Sequence, residues 1–555
     1  MIKTDTPKLS KGGFIPIIII GYTLIYFCIN TDKFIYPSLQ LYFSFTFCVI
    51  TLASIACIWN LMKKNKIELS LPDLLMAIWG IYIIGHSFFI KPADDYQVIY
   101  LLSGILYYYS LIFFFKKQLI RFEQIYLLFA WMGVLQAVVC ILQFSGIVNS
   151  GDLNYYVKGT FYNPNITAMY VALSMPFFIT KVIHEKRRLL NSVVLVLLFL
   201  ALIALKCRTA YIGLIIIACI YFIKETQIRK YWDRVTRKLK FVIVFVTILL
   251  LCGLFTALYF QKKASADGRV FVWKVSLEML MQNPIKGCGY GLFEKEYNLA
   301  QAHYIKTLPT TVAEKEHARY VYMPYNDLLE HALQGGIIGV LLFALLMSRF
   351  VFLAIRSKQI ELSAITLAYS IMMLINFAQQ AIPVWFLFLT VVAALTAEEK
   401  PLFVVANKRL ITWGSLSALL AIFAFTFVQM NRKQAQEQLK MAIVEYKSGN
   451  HHNAIRMLEA NLDNAGTSEV YFRRYGGMLI TSRKKQEGCR ILERATCYSS
   501  APSLQFDLAF AYLKLGKRDK AMERLILVQN MVPTNKRAKE LMRIMNTSPS
   551  APLQK

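Results

Sequence analysis

The stretch 241-FVIVFVTILLLCGLFTALYF-260 carries no charged residue and is as long as the ~20 residues that an α-helix needs to cross a bilayer core. Similar apolar runs lie at approximately 14–30, 37–61, 71–90, 97–115, 123–147, 164–181, 189–205, 209–223, 327–348, 361–377, 381–397 and 408–429. Lipid offers no hydrogen bonds to an open backbone, so such runs cross it as helices. The composition agrees: 56% of the 555 residues are hydrophobic and 17% are charged, against about 25% charged in an average soluble chain. The expected fold class is all-α, a polytopic helical membrane protein of about 12–13 spans followed by a C-terminal α-solenoid. The opening 1-MIKTDTPKLSKGG-13 precedes a span with no small-residue cleavage site, so the first span reads as a retained helix.

The net charge of +29 would suit nucleic acid if it formed one face, but the Lys and Arg residues gather between apolar runs. The connections 62-MKKNK-66, 116-KKQLIR-121, 181-KVIHEKRR-188, 224-KETQIRKYWDRVTRKLK-240, 349–358 and 399-EKPLFVVANKR-409 are basic. They alternate with less basic ones such as 91-KPADDY-96 and 378-AQQAIP-383. Basic loops stay in the cytoplasm, so the N-terminus is expected there, in a bacterial inner membrane, and no nucleic acid is expected as a partner. By parity the long loop at about 261–326 and the C-terminal domain face the periplasm.

From about Asn431 the chain turns polar and amphipathic, and it repeats. Ala454, Gly488 and Ala521 recur at a 33–34-residue interval, each followed four residues later by Leu458, Leu492 and Leu525. With Tyr512, Gly516 and Pro533 this is tetratricopeptide spacing. The expected domains are 1–430 in the membrane, 431–545 as tetratricopeptide-like repeats that could hold a peptide or a protein partner, and 546–555 as a disordered tail. Most cysteines lie within spans (Cys28, Cys48, Cys57, Cys140, Cys219, Cys252). Cys489 and Cys497 fall eight apart in one predicted helix, ~12 Å along its axis, too far for a bridge. No Cys/His spacing suggests a metal, and the pair Asp94-Asp95 gathers no further ligands. No cofactor or metal is expected. Tyr107 to Tyr109 and Phe113 to Phe115 fit an interfacial aromatic belt.

Three polar segments on the expected periplasmic side could carry chemistry. They are 151-GDLNYYVKGTFYNPNITAMY-170, 206-KCRTAYIGL-214, and 267-DGRVFVWKVSLEMLMQNPIKGCGYGLF-293 leading to 324-PYNDLLEHALQGGIIG-339. Together they resemble the O-antigen ligase/polymerase family, which includes bacterial protein O-oligosaccharyltransferases. Gly159 to Asn165 match a Gly-Thr-Phe-x-Asn-Pro-Asn element before a span. Cys207-Arg208-Thr209 matches a Ser-Arg-Thr element, with cysteine in place of serine. Arg269 and Trp273 match Arg-x-x-x-Trp, and Pro284, Gly287 and Gly289 match Pro-x-x-Gly-x-Gly. The family's His-Asn-x-x-Leu and Glu-x-Gly-x-x-Gly read here as Tyr325-Asn326-Asp327-Leu328-Leu329 and Gln334-Gly335-Gly336-Ile337-Ile338-Gly339. Histidine has become Tyr325 and glutamate has become Gln334, so the base role of the family's histidine does not carry over.

The resemblance implies a metal-independent enzyme that moves a glycan from undecaprenyl pyrophosphate to an acceptor hydroxyl on lipid A–core or on a protein, amid membrane lipids. A departing pyrophosphate needs fixed cations, and arginine's planar fork suits phosphate oxygens. Arg208 and Arg269 are the first candidates, with Lys206 and Arg319 behind them, although an arginine at a helix mouth can also simply snorkel. His303, His317 and Tyr325 are candidates for proton transfer, the histidines being equally at home in a solvated loop. Asn163, Asn165 and Trp273 are expected to bind substrate, and Asn326 to orient the loop. His331 is expected to be packed. Ligation to lipid A–core is the favoured reading; a polymerase, a protein O-oligosaccharyltransferase or an inactive scaffold are the alternatives. A transporter would need more ionisable residues inside its spans.

Overall fold

The structure is a computed structural model that describes residues 14–29, 34–63, 66–90, 93–185, 188–261 and 263–547. Each expected span falls on a helix. Eight helices are apolar and long enough to cross a membrane by length and composition: Pro37–Lys63, Leu71–Phe89, Asp95–Lys116, Phe122–Phe144, Pro164–His184, Arg188–Leu205, Asp327–Arg356 and Lys408–Lys447. Arg208–Lys224 continues into Thr226–Arg234 through a 79° bend, and Phe14–Cys28, Ile360–Met372 and Ile382–Ala397 are shorter apolar helices. The run at 241–260 lies within the helix Arg237–Gln261. The protein is therefore an all-α, multi-pass helical membrane protein, with one small exception. Ile67–Leu69 pairs antiparallel with Phe403–Val405, tying together two of the connections that the sequence marks as basic.

The centre of the bundle is the helix Ile382–Ala397. Pro383 opens it at a position where no amide is missed. All its residues but Thr390 and Thr396 are apolar, and it is buried almost all round, as a helix without a polar face must be. Phe386 packs against Phe27, Phe45, Tyr107 and Phe129. Tyr107 and Tyr108 thus belong to the core and not to an interfacial belt: their hydroxyls bond Thr390 at 2.8 Å and Thr396 at 3.0 Å inside the bundle. The expected span 361–377 stops at Met372. Beyond it Asn376, Gln379 and Gln380 use their polar groups on other elements, and the chain opens into an irregular segment before Ile382.

The helix Lys408–Lys447 runs unbroken for 40 residues from the bundle into the repeats, so the change of composition near Asn431 is not a break in the backbone. Helix pairs follow: His451–Ala460, Glu469–Thr481 with Lys485–Ala495, Pro502–Lys514 with Arg518–Met531, then Lys536–Thr547. The recurring Ala454, Leu458, Leu492, Ala521 and Leu525 are buried between them. A Cβ on Gly488 would come within 2.7 Å of the Gly476 carbonyl oxygen, which is why glycine holds that position of the repeat. Cys489 and Cys497 do not share a helix. The helix ends at Ala495, leaving Cys489 buried and Cys497 exposed in the following turn. Of the expected tail, 546 and 547 close the last helix, and 548–555 lie outside the described residues.

Candidate active site

Asn326 begins the site. Its side chain accepts the Leu329 amide at 3.0 Å and so caps the helix Asp327–Arg356. Tyr325, just before it, sits at φ +55°, a left-handed conformation that a bulky side chain seldom adopts. The turn directs its ring against Phe377, with centroids 6.0 Å apart, and beneath Arg269, whose guanidinium carbon lies 4.8 Å from the ring centroid. Arg269 belongs to the helix Lys263–Gln282, and its Nη1 donates to the Ile375 carbonyl at 2.7 Å. One turn later Trp273 donates from Nε1 to the Pro324 carbonyl at 2.8 Å. Residues four apart share a helix face, so this helix grips the Pro324-Tyr325 turn from one side.

Arg208 stands in the first turn of Arg208–Lys224, near enough for its charge to act on Arg269. Burial pulls the Arg269 guanidinium below its ordinary pKa; Tyr325 opposes this, and the nearby charge of Arg208 adds to it. Among the described residues no carboxylate pairs with either arginine. Two guanidiniums with no counter-charge make a cradle for an anion. Burial raises the Tyr325 phenol above its ordinary value despite the opposing charge of Arg269, and Tyr155 of the preceding loop adds to the rise.

The floor is the irregular segment between Met372 and Ile382. Its backbone takes the Asp327 amide on the Met373 carbonyl at 2.9 Å, and Arg269 on Ile375. Asn376 donates to Thr209 at 3.1 Å. The Gln379 amide donates to Asp327 at 2.9 Å, its side-chain oxygen bonds His331 at 2.9 Å, and its carbonyl accepts from Tyr100. Gln380 donates to Glu330 at 2.7 Å. Non-helical backbone at such depth persists only where protein satisfies its polar groups. A second irregular strip braces the other side. The amides of Cys288 and Gly289 donate to the Leu333 and Gln334 carbonyls, and Ile337 donates to the Pro284 carbonyl at 2.8 Å. Glycine is required at the contact: Gly336 breaks its helix at φ +63°, and a Cβ there would lie 1.9 Å from the Ile285 carbonyl oxygen.

The remaining expected residues divide. Asn163 caps Pro164–His184, accepting the Asn165 amide at 2.8 Å. Lys206 ends the preceding helix at φ +51° and is exposed. His303 lines a cavity of about 240 Å³ with Met279, Gln282 and Cys288. His317 closes the short helix Val312–His317, and Arg319 is exposed just beyond it. Among the described residues no contact joins His303, His317 or Arg319 to Arg269 or Tyr325. His331 is buried against Trp79 and Phe343. Asp94-Asp95 forms a joint: Asp94 accepts from Thr467, and Asp95 pairs with Arg432 at 3.0 Å. Sequence reasoning missed Asp327, Glu330, Gln379 and Gln380. The one signal was an uncharged polar pair beside a proline in an apolar run, 378-AQQAIP-383.

A family model described as O-antigen ligase matches residues 193–344, which takes in Arg208, Arg269, Tyr325 and Gly336. No curated protein matches the chain. Among solved structures, the crystal structure of the APC/C hetero-tetramer Cut9-Hcn1 is similar over 91% of this chain and 89% of that one, at 11% identity. Its TM-score of 0.19 is too low to bear on the fold.

Proposed function

We propose that this chain, which carries an O-antigen ligase domain across residues 193–344, moves a glycan from undecaprenyl pyrophosphate to a hydroxyl of lipid A–core on the periplasmic face. The observation that carries the reading is Arg269 seated on the Tyr325 ring with the charge of Arg208 acting on it, and with no carboxylate paired to either arginine among the described residues. The acceptor oxygen bonds to the anomeric carbon as that carbon's bond to the pyrophosphate oxygen breaks. The leaving group keeps the electron pair and gains negative charge, which the two guanidiniums stabilise. The hydroxyl proton passes to the leaving phosphate or to water. Tyr325 acts as a protonated shelf for Arg269 and the sugar, not as the base, because burial favours its neutral phenol. A transition state with carbocation character at the sugar asks little of a base. Trp273, bonded to the Pro324 carbonyl, holds the turn that carries Tyr325.

The test is a deletion strain in which lipid-linked glycans and surface lipopolysaccharide are both extracted and sized. Long chains stranded on undecaprenyl pyrophosphate above bare surface core support the ligase. Single repeat units in both pools would instead make the protein a polymerase. Two normal pools would refute the reading and direct attention to glycoproteins. Complementation with Arg269→Ala should fail by ~10²-fold or more. Arg269→Lys, which keeps the charge but loses the planar fork over Tyr325, should retain part of the activity.

A further inference from the structure

The end of the bundle remote from Tyr325 holds a cavity of about 310 Å³ among Pro37–Lys63, Asp95–Lys116 and Lys408–Lys447, roofed by the Ile67–Leu69 strand. Its position follows from the helix Leu71–Phe89. Asp73 at one end lines the cavity, and His86 near the other bonds the Lys286 carbonyl of the long loop. Thirteen residues of helix separate the two by ~20 Å.

The cavity joins two kinds of lining. Small and apolar residues, among them Ala53, Ala56, Gly414 and Ala418, leave a slot between helices. At its mouth stand Lys66, Lys116 and Lys117. Lys116 reaches the Glu68 carbonyl at 2.8 Å and Asp73 at 3.7 Å. Asp73 is already occupied by the Ser70 amide and hydroxyl, each at 2.7 Å. Among the described residues Lys117 makes only a 3.4 Å contact, with the Lys66 carbonyl. Three amines thus face two carboxylates, one of them engaged elsewhere. Deeper in, Asn60 is 6% exposed and donates to Ser415 at 3.4 Å, while its Oδ1 is buried with no hydrogen-bond partner among the described residues. A buried acceptor left open is costly, and this one borders the cavity.

An apolar slot, an amine-rich mouth and an unfilled acceptor between them match one ligand chemistry. We propose that this cleft holds a glycerophospholipid, its acyl chain in the slot, its phosphodiester on the lysines and a headgroup hydroxyl or ammonium donating to Asn60. The site lies at the end of the bundle opposite the arginine pair and does not depend on the proposed glycan transfer.

The test uses the delipidated full chain, with native mass spectrometry and thermal melting against phosphatidylglycerol, phosphatidylethanolamine and phosphatidylcholine of one acyl composition. Phosphatidylcholine has the phosphate but no headgroup donor, so it should be retained about tenfold less than the other two. A preference for phosphatidylglycerol identifies the hydroxyl as the donor, and one for phosphatidylethanolamine identifies the ammonium. The double variant Lys66→Ala/Lys117→Ala should weaken all three severalfold. Asn60→Leu should lower the two donor lipids to the level of phosphatidylcholine. Equal retention of the three lipids by the unaltered protein would overturn the proposal whether or not the variants fold, and so would an unchanged order in Asn60→Leu or unchanged retention in the double variant.

Discussion

Tyr325 and Arg269 act on each other through a ring face and a cation rather than through a hydrogen bond, and the two possible uses of the tyrosine predict different mutants. As a shelf, Tyr325→Phe should keep at least about a third of the transfer rate, since a phenylalanine ring still attracts a guanidinium. Tyr325→Ala should lose about tenfold or more. A purified protein with lipid-linked donor measures both, and a dead phenylalanine variant would restore the tyrosine as the proton carrier. At Gly336 the effect should fall on stability. Gly336→Ala meets a carbonyl oxygen at 1.9 Å and a positive φ, so it should lower the melting temperature by more than a cost of ~1–3 kcal/mol implies. Gly268→Ala, inside a helix and with nothing within 4 Å, should not lower it, since alanine is the better helix former. At this scale the sequence exposed the residues whose types are unusual for their surroundings: arginines at helix mouths, glycines in a row, and asparagines before spans. It concealed Glu330 and Gln379, because a buried polar residue gains its meaning from a partner about fifty positions away, and nothing local marks that pairing.

Elements meet at two carboxyls whose protonation should govern how firmly the repeats sit on the rest of the chain, Asp94 at the start of Asp95–Lys116 and Glu294 in the long loop. Asp94 takes bonds from Thr467 and the Tyr96 amide, and burial pushes it up to about 6. Glu294, on the loop helix Phe293–Thr307, lies within reach of Ser499 and Ser500 in the repeats, and burial pushes it up to about 8. Arg432 and Asp95 face the first, and Glu469 the second. A raised folded-state value means that the docked form holds its proton more tightly. The contribution to docking is therefore complete below about pH 4 and is lost as the pH rises, through about 6 for Asp94 and about 8 for Glu294. Spin labels at Lys306 and Lys520 should give one narrow distance at pH 6 and a broader distribution at pH 9. Glu294→Gln should abolish the broadening that sets in near pH 8. The elements themselves were readable where one period ran uninterrupted, as in the apolar spans and the 33–34-residue repeat. Reading failed at Met372, beyond which Asn376, Gln379 and Gln380 bond other elements, a tertiary cause, and at Ala495, where the following amides close local turns onto the helix end.

For the whole molecule, sidedness is the first quantity to measure. Cys497 is exposed in the repeat domain, so a membrane-impermeant maleimide should label it in cells with a permeabilised outer membrane, and Cys497→Ser should remove that signal. Protection until the inner membrane is lysed would put the repeats in the cytoplasm and reverse the orientation drawn from the basic loops. The repeats are also bound to the rest of the chain. Gln301 donates to the Met531 carbonyl at 2.6 Å, and Ala302 packs with Val528, Met531 and Ala538. Ala538→Arg should free the repeats and lower transfer severalfold if that contact positions the loop. The helix Lys408–Lys447 adds a constraint of another kind. It is ~60 Å long at 1.5 Å per residue, and Arg432 and Gln436 key into Asp95 and Tyr96 at 3.0 and 3.1 Å. A helix with such a key behaves as a shaft with a fixed phase. One residue inserted below Arg432 would turn everything above it by about 100° and lift it by ~1.5 Å, whereas a conservative substitution there leaves the phase intact. Related chains that keep this coupling should therefore vary the shaft in composition freely, and in length only by steps near a whole turn.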